Sequence, residues 1–118
     1  MVGANARVAD AGTLATNSAL TGLTAVPGDF LLAGGASVTT TGGLSITGNG
    51  EVWVDSPFNN GGGGSSLTIG GKLTDSSTNG NALYIGATNI SAGDTVTATS
   101  LSNTGAIQIV AALCSNLN

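Results

Sequence analysis

The sequence predicts an all-β chain folded as a single-stranded right-handed parallel β-helix, or β-solenoid, of about four coils with three short strands per coil. Three observations favour this fold class. Glycine, threonine, serine and asparagine make up half of the 118 residues, and threonine favours strands whereas the other three favour turns. Runs rich in leucine, glutamate and lysine, which are typical of helices, are lacking. Apolar anchors also recur at a regular spacing, as in repeat proteins.

The regular spacing is clearest in three segments that align without gaps, because their apolar anchors Val38, Leu67 and Val96 lie 29 residues apart. A second anchor follows in each repeat, and a third segment closes it. These are Leu44, Leu73 and Leu101, and then Val52-Trp53-Val54, Leu83-Tyr84-Ile85 and Ile107-Gln108-Ile109. The segments alternate apolar and polar residues, which is the period of a strand with one buried face. Since one repeat cannot bury its anchors alone, we expect stacked copies to share a core.

The chain divides at about residue 36. Residues 36–118 contain the repeats and are predicted to form one continuous solenoid segment, whereas residues 1–35 are expected to form a degenerate first coil or a cap. Residues 57–60 and the glycines at 61–64 are expected to bulge outward from the stack as a flexible loop. A stack of about four coils exposes apolar side chains and unpaired backbone groups at its two ends. We therefore predict end-to-end stacking or continuation in a longer chain.

Charge and composition exclude several classes of partner. The net charge is −4, and Arg7 and Lys72 are the only basic side chains. Nucleic-acid binding needs several lysine or arginine contacts to phosphates, which two cations do not supply. No apolar run approaches the roughly 18 residues of a membrane-spanning helix, so we do not expect the chain itself to span a membrane. The first seven residues do not resemble an export signal, and Cys114 is interpreted as an incidental small apolar residue.

Residues 101–109 (LSNTGAIQI) resemble the degenerate L-x-N-x-G-x-I-x-I repeat of bacterial surface β-helices, which include autotransporter passenger domains and filamentous-haemagglutinin-type exoproteins. Residues 65–74 are similar to the strand pair that precedes this motif in many such passengers, and the likeness covers roughly residues 36–110. The sequence departs from it at Asp75, which replaces asparagine, and in the extra residues up to Gly80. The resemblance implies secretion across the outer membrane, an extracellular or cell-surface location and an adhesin role, and it brings no catalytic residue.

Residues that carry catalytic chemistry are few. Histidine is absent and cysteine is single, so the usual nucleophile–histidine machinery and zinc sites lack their components, and no cofactor or metal ion is expected. Glu51 and Asp55 are predicted to project from one side of a strand, ~13 Å apart, beyond the roughly 5–9.5 Å of paired glycosidase carboxylates. Neighbouring repeats are expected to add no acid beside them. We therefore interpret both as solubilising outward charges and predict a protein that is not an enzyme.

Two outward files of side chains are candidate contact surfaces. If the residues on either side point inward, Trp53, Tyr84 and Gln108 stack on the outside, and an exposed tryptophan over a tyrosine forms a flat platform for a sugar ring or a protein partner. The alternative is that these side chains only decorate the surface or are covered by a loop or a neighbouring chain.

The second file is the threonine face of Thr39, Thr68 and Thr97. Flat threonine grids are typical of ice-binding solenoids, but residues of this type suit any exposed strand, and Gly70 interrupts the grid.

The leading hypothesis is thus a non-catalytic structural or adhesive segment of a secreted or cell-surface bacterial β-helix protein, which binds host or environmental surfaces through a glycan or protein ligand. The alternative is an ice-binding solenoid that uses the threonine face. A polysaccharide-degrading β-helix enzyme is a weaker alternative.

Overall fold

The computed structural model describes residues 1–56 and 62–110, and in this part of the chain short strands form three parallel sheets. The strands are β1 (Ala25–Val26), β2 (Asp29–Leu32), β3 (Ser37–Thr40), β4 (Leu44–Ile46), β5 (Glu51–Val54), β6 (Ser66–Ile69), β7 (Lys72–Asp75), β8 (Leu83–Ile85), β9 (Thr95–Thr97), β10 (Ser100–Asn103) and β11 (Ile107–Ile109). A 3-10 turn at Ser18–Leu20 precedes them. The predicted all-β class is confirmed.

Successive strands belong to different sheets, so that the chain visits the three sheets in rotation. We call them the threonine sheet (β3-β6-β9), the leucine sheet (β1-β4-β7-β10) and the tryptophan sheet (β11-β8-β5-β2). Every pairing between these strands is parallel. Parallel neighbours need a long connection, and here the connection consists of the two strands that lie in the other sheets.

The predicted files of apolar anchors are confirmed as stacked neighbours. In the threonine sheet Val38 pairs with Leu67, and Leu67 pairs with Val96. The same holds for Leu44, Leu73 and Leu101 in the leucine sheet and for Val52, Leu83 and Ile107 in the tryptophan sheet. Paired residues of parallel strands lie on the same face of their sheet, so each file of anchors lies on one side, and its buried members, such as Val38 and Leu67, show that this side faces inward.

The core lies between the three sheets. Its larger buried aliphatic side chains are Val26, Leu32, Val38, Leu44, Ile46, Val52, Val54, Leu67, Ile69, Leu73 and Leu83. Most of them are under 3% exposed, and each such side chain stabilises the fold by roughly 1.5–3 kcal/mol through removal from water. The last described strands are covered less, since Leu101 and Ile109 are 56% and 74% exposed.

Residues 1–24 are irregular apart from the 3-10 turn and a parallel bridge between Val2 and Ala33. The backbone carbonyl of Thr21 accepts a hydrogen bond from the amide of Thr41 at 2.8 Å. The 3-10 segment therefore lies along the edge of the threonine sheet, whereas β1 and β2 extend the other two sheets. Among the described residues, no helix has the length and apolar character needed to cross a membrane.

The glycine-rich loop differs from the sequence-based expectation. Residues 57–61 lie outside the described part of the chain, but Gly63 is buried and forms a parallel bridge with Ala92. Its φ is +78°, and a Cβ atom there would clash with the carbonyl oxygen of Ala92. The expectation that this loop simply bulges outward is therefore wrong at its end, because glycine is needed at Gly63 for a close backbone approach within the stack.

Candidate functional site

The outer face of the tryptophan sheet carries Trp53, Tyr84 and Gln108 in one file, in the register that the sequence predicts. The Trp53 and Tyr84 rings stack, with centroids 5.2 Å apart and planes inclined by 21°. Trp53 is partly buried and Gln108 is exposed, but Tyr84 is only 9% exposed. The accessible platform therefore consists of the Trp53 indole and is smaller than the predicted two-ring surface.

The indole is held in place by a short hydrogen-bond network through Glu51, which was not predicted from the sequence. Trp53 Nε1 donates a hydrogen bond to Glu51 Oε2 at 2.6 Å. The side-chain amide of Asn79, in the loop between β7 and β8, donates to the other oxygen of the same carboxylate. Hydrogen bonds to an ionised group are among the stronger ones in proteins. The only sequence signal was the Glu-x-Trp spacing, which places both side chains on one face of β5.

Glu51 and Asp55 do not share a face, which corrects the prediction that both project outward from one strand. Strand β5 ends at Val54, and Asp55 takes a left-handed backbone conformation with φ +52°, so the alternation of the strand stops there. Asp55 is fully buried and is not a solubilising surface charge. Asp29 also pairs in register with Glu51, so the expectation of no neighbouring acid was wrong. Glu51 and Asp55 therefore do not form a pair of carboxylates on the surface.

Asp55 lies at the corner between the tryptophan and threonine sheets. Its Oδ1 accepts the Gly34 amide at 3.0 Å, and the neighbouring Gly35 amide donates to Ser65 Oγ at 3.1 Å. The Ser65 amide in turn donates to Asp94 Oδ1 at 2.9 Å. We call each run of the chain through the three sheets a passage. Side-chain acceptors therefore link three successive passages at this corner.

Asp55 and Asp94 also interact with each other. Burial raises the pKa of the Asp94 carboxyl to about 6, and the hydrogen bond and negative charge of Asp55 add to this, against the opposing effect of nearby backbone amides. Oδ2 of each residue is buried and has no donor among the described residues. A proton on Asp94 turns its carboxyl into a donor to Asp55 and removes the repulsion between two like charges. These aspartates therefore have a structural role.

Asp75 ends β7 at the position that Asn103 occupies at the end of β10. It pairs with Asn103 in the neighbouring strand. Asp75 Oδ1 accepts the Ser77 amide at 3.0 Å, and Asn103 Oδ1 accepts the Gly105 amide at 3.1 Å. Each side chain thus stabilises a turn at the end of its strand by accepting a hydrogen bond from the backbone amide two residues ahead. The turn therefore forms with aspartate as well as with asparagine, although Asp75 places a carboxylate that is 1% exposed in the interior.

The outer face of the threonine sheet carries two parallel files of hydroxyl side chains. The predicted file is Thr39, Thr68 and Thr97, and its neighbour is Ser37, Ser66 and Thr95. The three predicted threonines are exposed, and stacked strands place successive members about 4.8 Å apart. Gly70 lies beyond the end of β6, so it does not interrupt these two files.

A groove of about 610 Å³ lies beside β3, between the threonine sheet and the irregular N-terminal segment. Arg7, Asn17, Ser18, Ser37 and Thr39 are among its lining residues. Sequence reasoning did not find this groove, because its walls come from segments that show no common periodicity.

Among the described residues, no three histidine, cysteine, aspartate or glutamate side chains lie close enough together to hold a metal ion. Comparisons of the chain with protein-family models, with curated proteins and with solved structures each found no match. The functional interpretation therefore depends on the geometry of the two outer faces and the groove.

Proposed function

We propose that the chain is part of a right-handed single-stranded parallel β-solenoid that serves as a non-catalytic structural and adhesive segment of a secreted or cell-surface bacterial protein. The observation that carries the proposal is the in-register stack of short parallel strands that rotates through three sheets. Parallel crossover connections are almost always right-handed, which favours that hand. The resemblance of residues 101–109 to bacterial surface repeats supports the extracellular location.

The contact surface in this proposal is the face of Trp53, Tyr84 and Gln108. An indole whose orientation is held by Glu51 offers a rigid apolar surface on which the C–H face of a sugar ring can stack. The Glu51 carboxylate lies at the edge of the indole, and the exposed Gln108 amide lies one strand farther on, beside Tyr84. A few polar groups around an apolar surface are typical of small-ligand sites.

The proposal is tested by retention of the chain on immobilised bacterial and host-surface polysaccharides. We expect Trp53→Ala to weaken retention by at least about tenfold, as for an aromatic residue at the centre of an interface. The control is Thr97→Ala, which removes an exposed side chain from another sheet and is expected to bind as the wild type does. Thermal unfolding of both variants separates lost binding from lost folding. Equal retention of folded Trp53→Ala, or no retention of the wild type on any surface, contradicts the proposal.

A second candidate function is ice binding by the threonine sheet. The in-register exposure of Thr39, Thr68 and Thr97 favours it, because a regular file of hydroxyl and methyl groups can order water. The measurement is thermal hysteresis of the wild type, of Thr68→Tyr and of the equally bulky control Gln108→Tyr on the other sheet. This function predicts hysteresis that only the Thr68 substitution abolishes, and it is excluded if the concentrated wild-type chain shows none.

A further inference from the structure

Arg7 is a cation whose guanidinium is held in place without a carboxylate partner. Its Nε donates to the carbonyl oxygen of Ala15 at 2.9 Å, and Nη1 donates to those of Ala4 and Ala6 at 2.8 and 3.0 Å. These are its interactions within the described part of the chain, so its charge is not neutralised there. The bonds engage Nε and Nη1 only, and the N–H groups of Nη2 remain available for a ligand.

The groove beside Arg7 has the size of a small-ligand site. Its volume is about 610 Å³, within the roughly 300–1,000 Å³ that is typical of such sites. One wall is β3, which contributes Ser37 and Thr39, and Ala4 and Ala15 are small apolar members of its lining. Small side chains leave room for a sugar ring and offer C–H surface against which it can pack.

Two hydroxyl groups on β3 can donate hydrogen bonds to a ligand in the groove. Ser37 Oγ accepts a hydrogen bond from Ser66 Oγ at 2.9 Å, so its own hydroxyl proton is available. Thr39 is exposed, and its hydroxyl forms no hydrogen bond within the described residues. Together with Arg7 Nη2, these groups make a positively charged set of donors. An ionised carboxylate only accepts hydrogen bonds, so it is the complementary ligand group.

We propose that this groove binds a sugar that carries a carboxylate, such as a uronic acid residue of a polysaccharide. The carboxylate bonds to Arg7 Nη2, and the ring hydroxyls bond to Ser37 and Thr39. An acidic peptide offers the same charge and carbonyl acceptors, but it lacks a ring with adjacent hydroxyls that can donate to and accept from the two side chains on β3. The inference rests on the proposed function only in taking a glycan as the ligand, and it uses a surface separate from Trp53.

The direct test is a titration of the full chain with glucuronate and galacturonate, followed by backbone amide chemical shifts. We expect millimolar binding, with shifts concentrated at Gly35, Ser37 and Thr39. Glucose and galactose, which lack the charge, and N-acetylglutamate, which lacks the ring, are each expected to bind at least about tenfold more weakly because each loses part of the hydrogen bonding. Equal binding of the neutral sugars or of N-acetylglutamate overturns the proposal, as does the absence of uronate binding.

A pair of matched substitutions tests whether uronate binding depends on Arg7. Arg7→Gln is expected to weaken uronate binding by at least about tenfold, whereas Lys72→Gln, which removes the other cation, is expected to leave it unchanged. An equal loss in both variants indicates general electrostatic attraction and contradicts the proposal.

A second pair of substitutions tests the site on β3, so that the test does not depend on the N-terminal segment keeping its structure in Arg7→Gln. Thr39→Val replaces the hydroxyl by a methyl group of similar size and is expected to weaken binding by about three- to tenfold. The control Thr97→Val makes the same change at the equivalent position two strands away and is expected to have no effect. Wild-type binding by Thr39→Val overturns the assignment.

Trp53→Ala separates this inference from the proposed function. We expect it to retain uronate binding while polysaccharide retention falls, so either proposal can fail while the other stands.

Discussion

The threonine and tryptophan sheets reach the same in-register stacking with different chain lengths between their strands. In the threonine sheet the anchors Val38, Leu67 and Val96 are evenly 29 residues apart, whereas in the tryptophan sheet Val52, Leu83 and Ile107 are separated by 31 and then 24 residues. Register is therefore determined by which side chains point inward and by the backbone ladder. It does not require a constant repeat length.

The connection from the leucine sheet to the tryptophan sheet is one of the two that vary most in length. This connection comprises residues 47–50, 76–82 and 104–106 in successive passages. The longest folds back on the preceding passage, where Ser77 Oγ donates to the carbonyl oxygen of Gly50 at 2.8 Å and Asn79 contacts Glu51. The additional residues thus build the support of the Trp53 indole. The regular sheet presents a repetitive outer face, and the irregular sheet presents the single supported indole of Trp53.

The largest expected effect comes from breaking the regular sheet at its central anchor. Leu67 is 1% exposed, so Leu67→Ala is expected to lower the free energy of unfolding by about 2–5 kcal/mol through lost burial and the cavity it leaves. Denaturant unfolding followed by circular dichroism measures this change. The neighbouring substitution Thr68→Ala lies on the outer face and is expected to cost less than about 0.5 kcal/mol. Similar losses in the two variants contradict the inward assignment of Leu67.

The corner between the two sheets is sensitive to backbone conformation. Gly63→Ala is expected to destabilise the fold by about 1–3 kcal/mol because it places a side chain at positive φ and against Ala92. The control is Gly80→Ala, since a Cβ atom at Gly80 meets nothing within 4 Å. Thermal unfolding compares the two variants, and an undiminished stability of Gly63→Ala contradicts the bridge between Gly63 and Ala92.

The same corner predicts a pH dependence. Because the pKa of Asp94 is raised from 3.8 to about 6 on folding, the folded state holds the proton more tightly than the unfolded state does. The contribution of this group to stability is therefore fully present below pH 3.8, falls as the pH rises towards about 6, and stays at the lower level above it.

Unfolding measured across this pH range checks the prediction in Asp94→Asn. Asparagine donates a hydrogen bond to Asp55 at every pH, so this variant is expected to lose the decline between about pH 4 and pH 6. The control Asp29→Asn changes an exposed carboxylate and is expected to keep it. A decline of unchanged size in Asp94→Asn contradicts the interaction with Asp55.

The smallest expected effect concerns the support of the indole. Asn79→Ala removes one donor to Glu51 and is expected to cost about 0.5–1.5 kcal/mol of stability. It should also leave the Trp53 ring more mobile, which raises acrylamide quenching and shifts indole fluorescence to the red. Asn81→Ala, an exposed change in the same loop, is the control. Quenching that is the same in both variants contradicts the role of Asn79 in positioning the indole.

The files of inward and outward residues were predictable from the sequence. Alternation along a strand is a local property, so the position of Val52 and Val54 in the interior already places Trp53 on the opposite face. The 29-residue spacing then aligns Val38 with Leu67, since a parallel stack brings equivalent residues together. The correspondence between Asp75 and Asn103 was visible too, because each lies two residues after a leucine anchor, but the turns that follow them were not predicted.

The corners and the groove were not predictable from the same pattern. Asp55 continues the apparent alternation of β5, but a left-handed backbone at that residue turns its carboxylate into the interior. Gly63 and Arg7 lie outside the periodic segments. Gly63 pairs with Ala92 in the next repeat, and Arg7 is held by carbonyl groups of its own irregular segment.

The sequence by itself therefore determined the strand pattern, the register and the outward files, because these follow from the two-residue period of a strand and the spacing between repeats. Only the tertiary structure decided which acids are buried, how the indole is supported and which segments line the groove beside Arg7. Those contacts join residues from different passages, and they depend on how each loop folds over its neighbour, which local periodicity does not record.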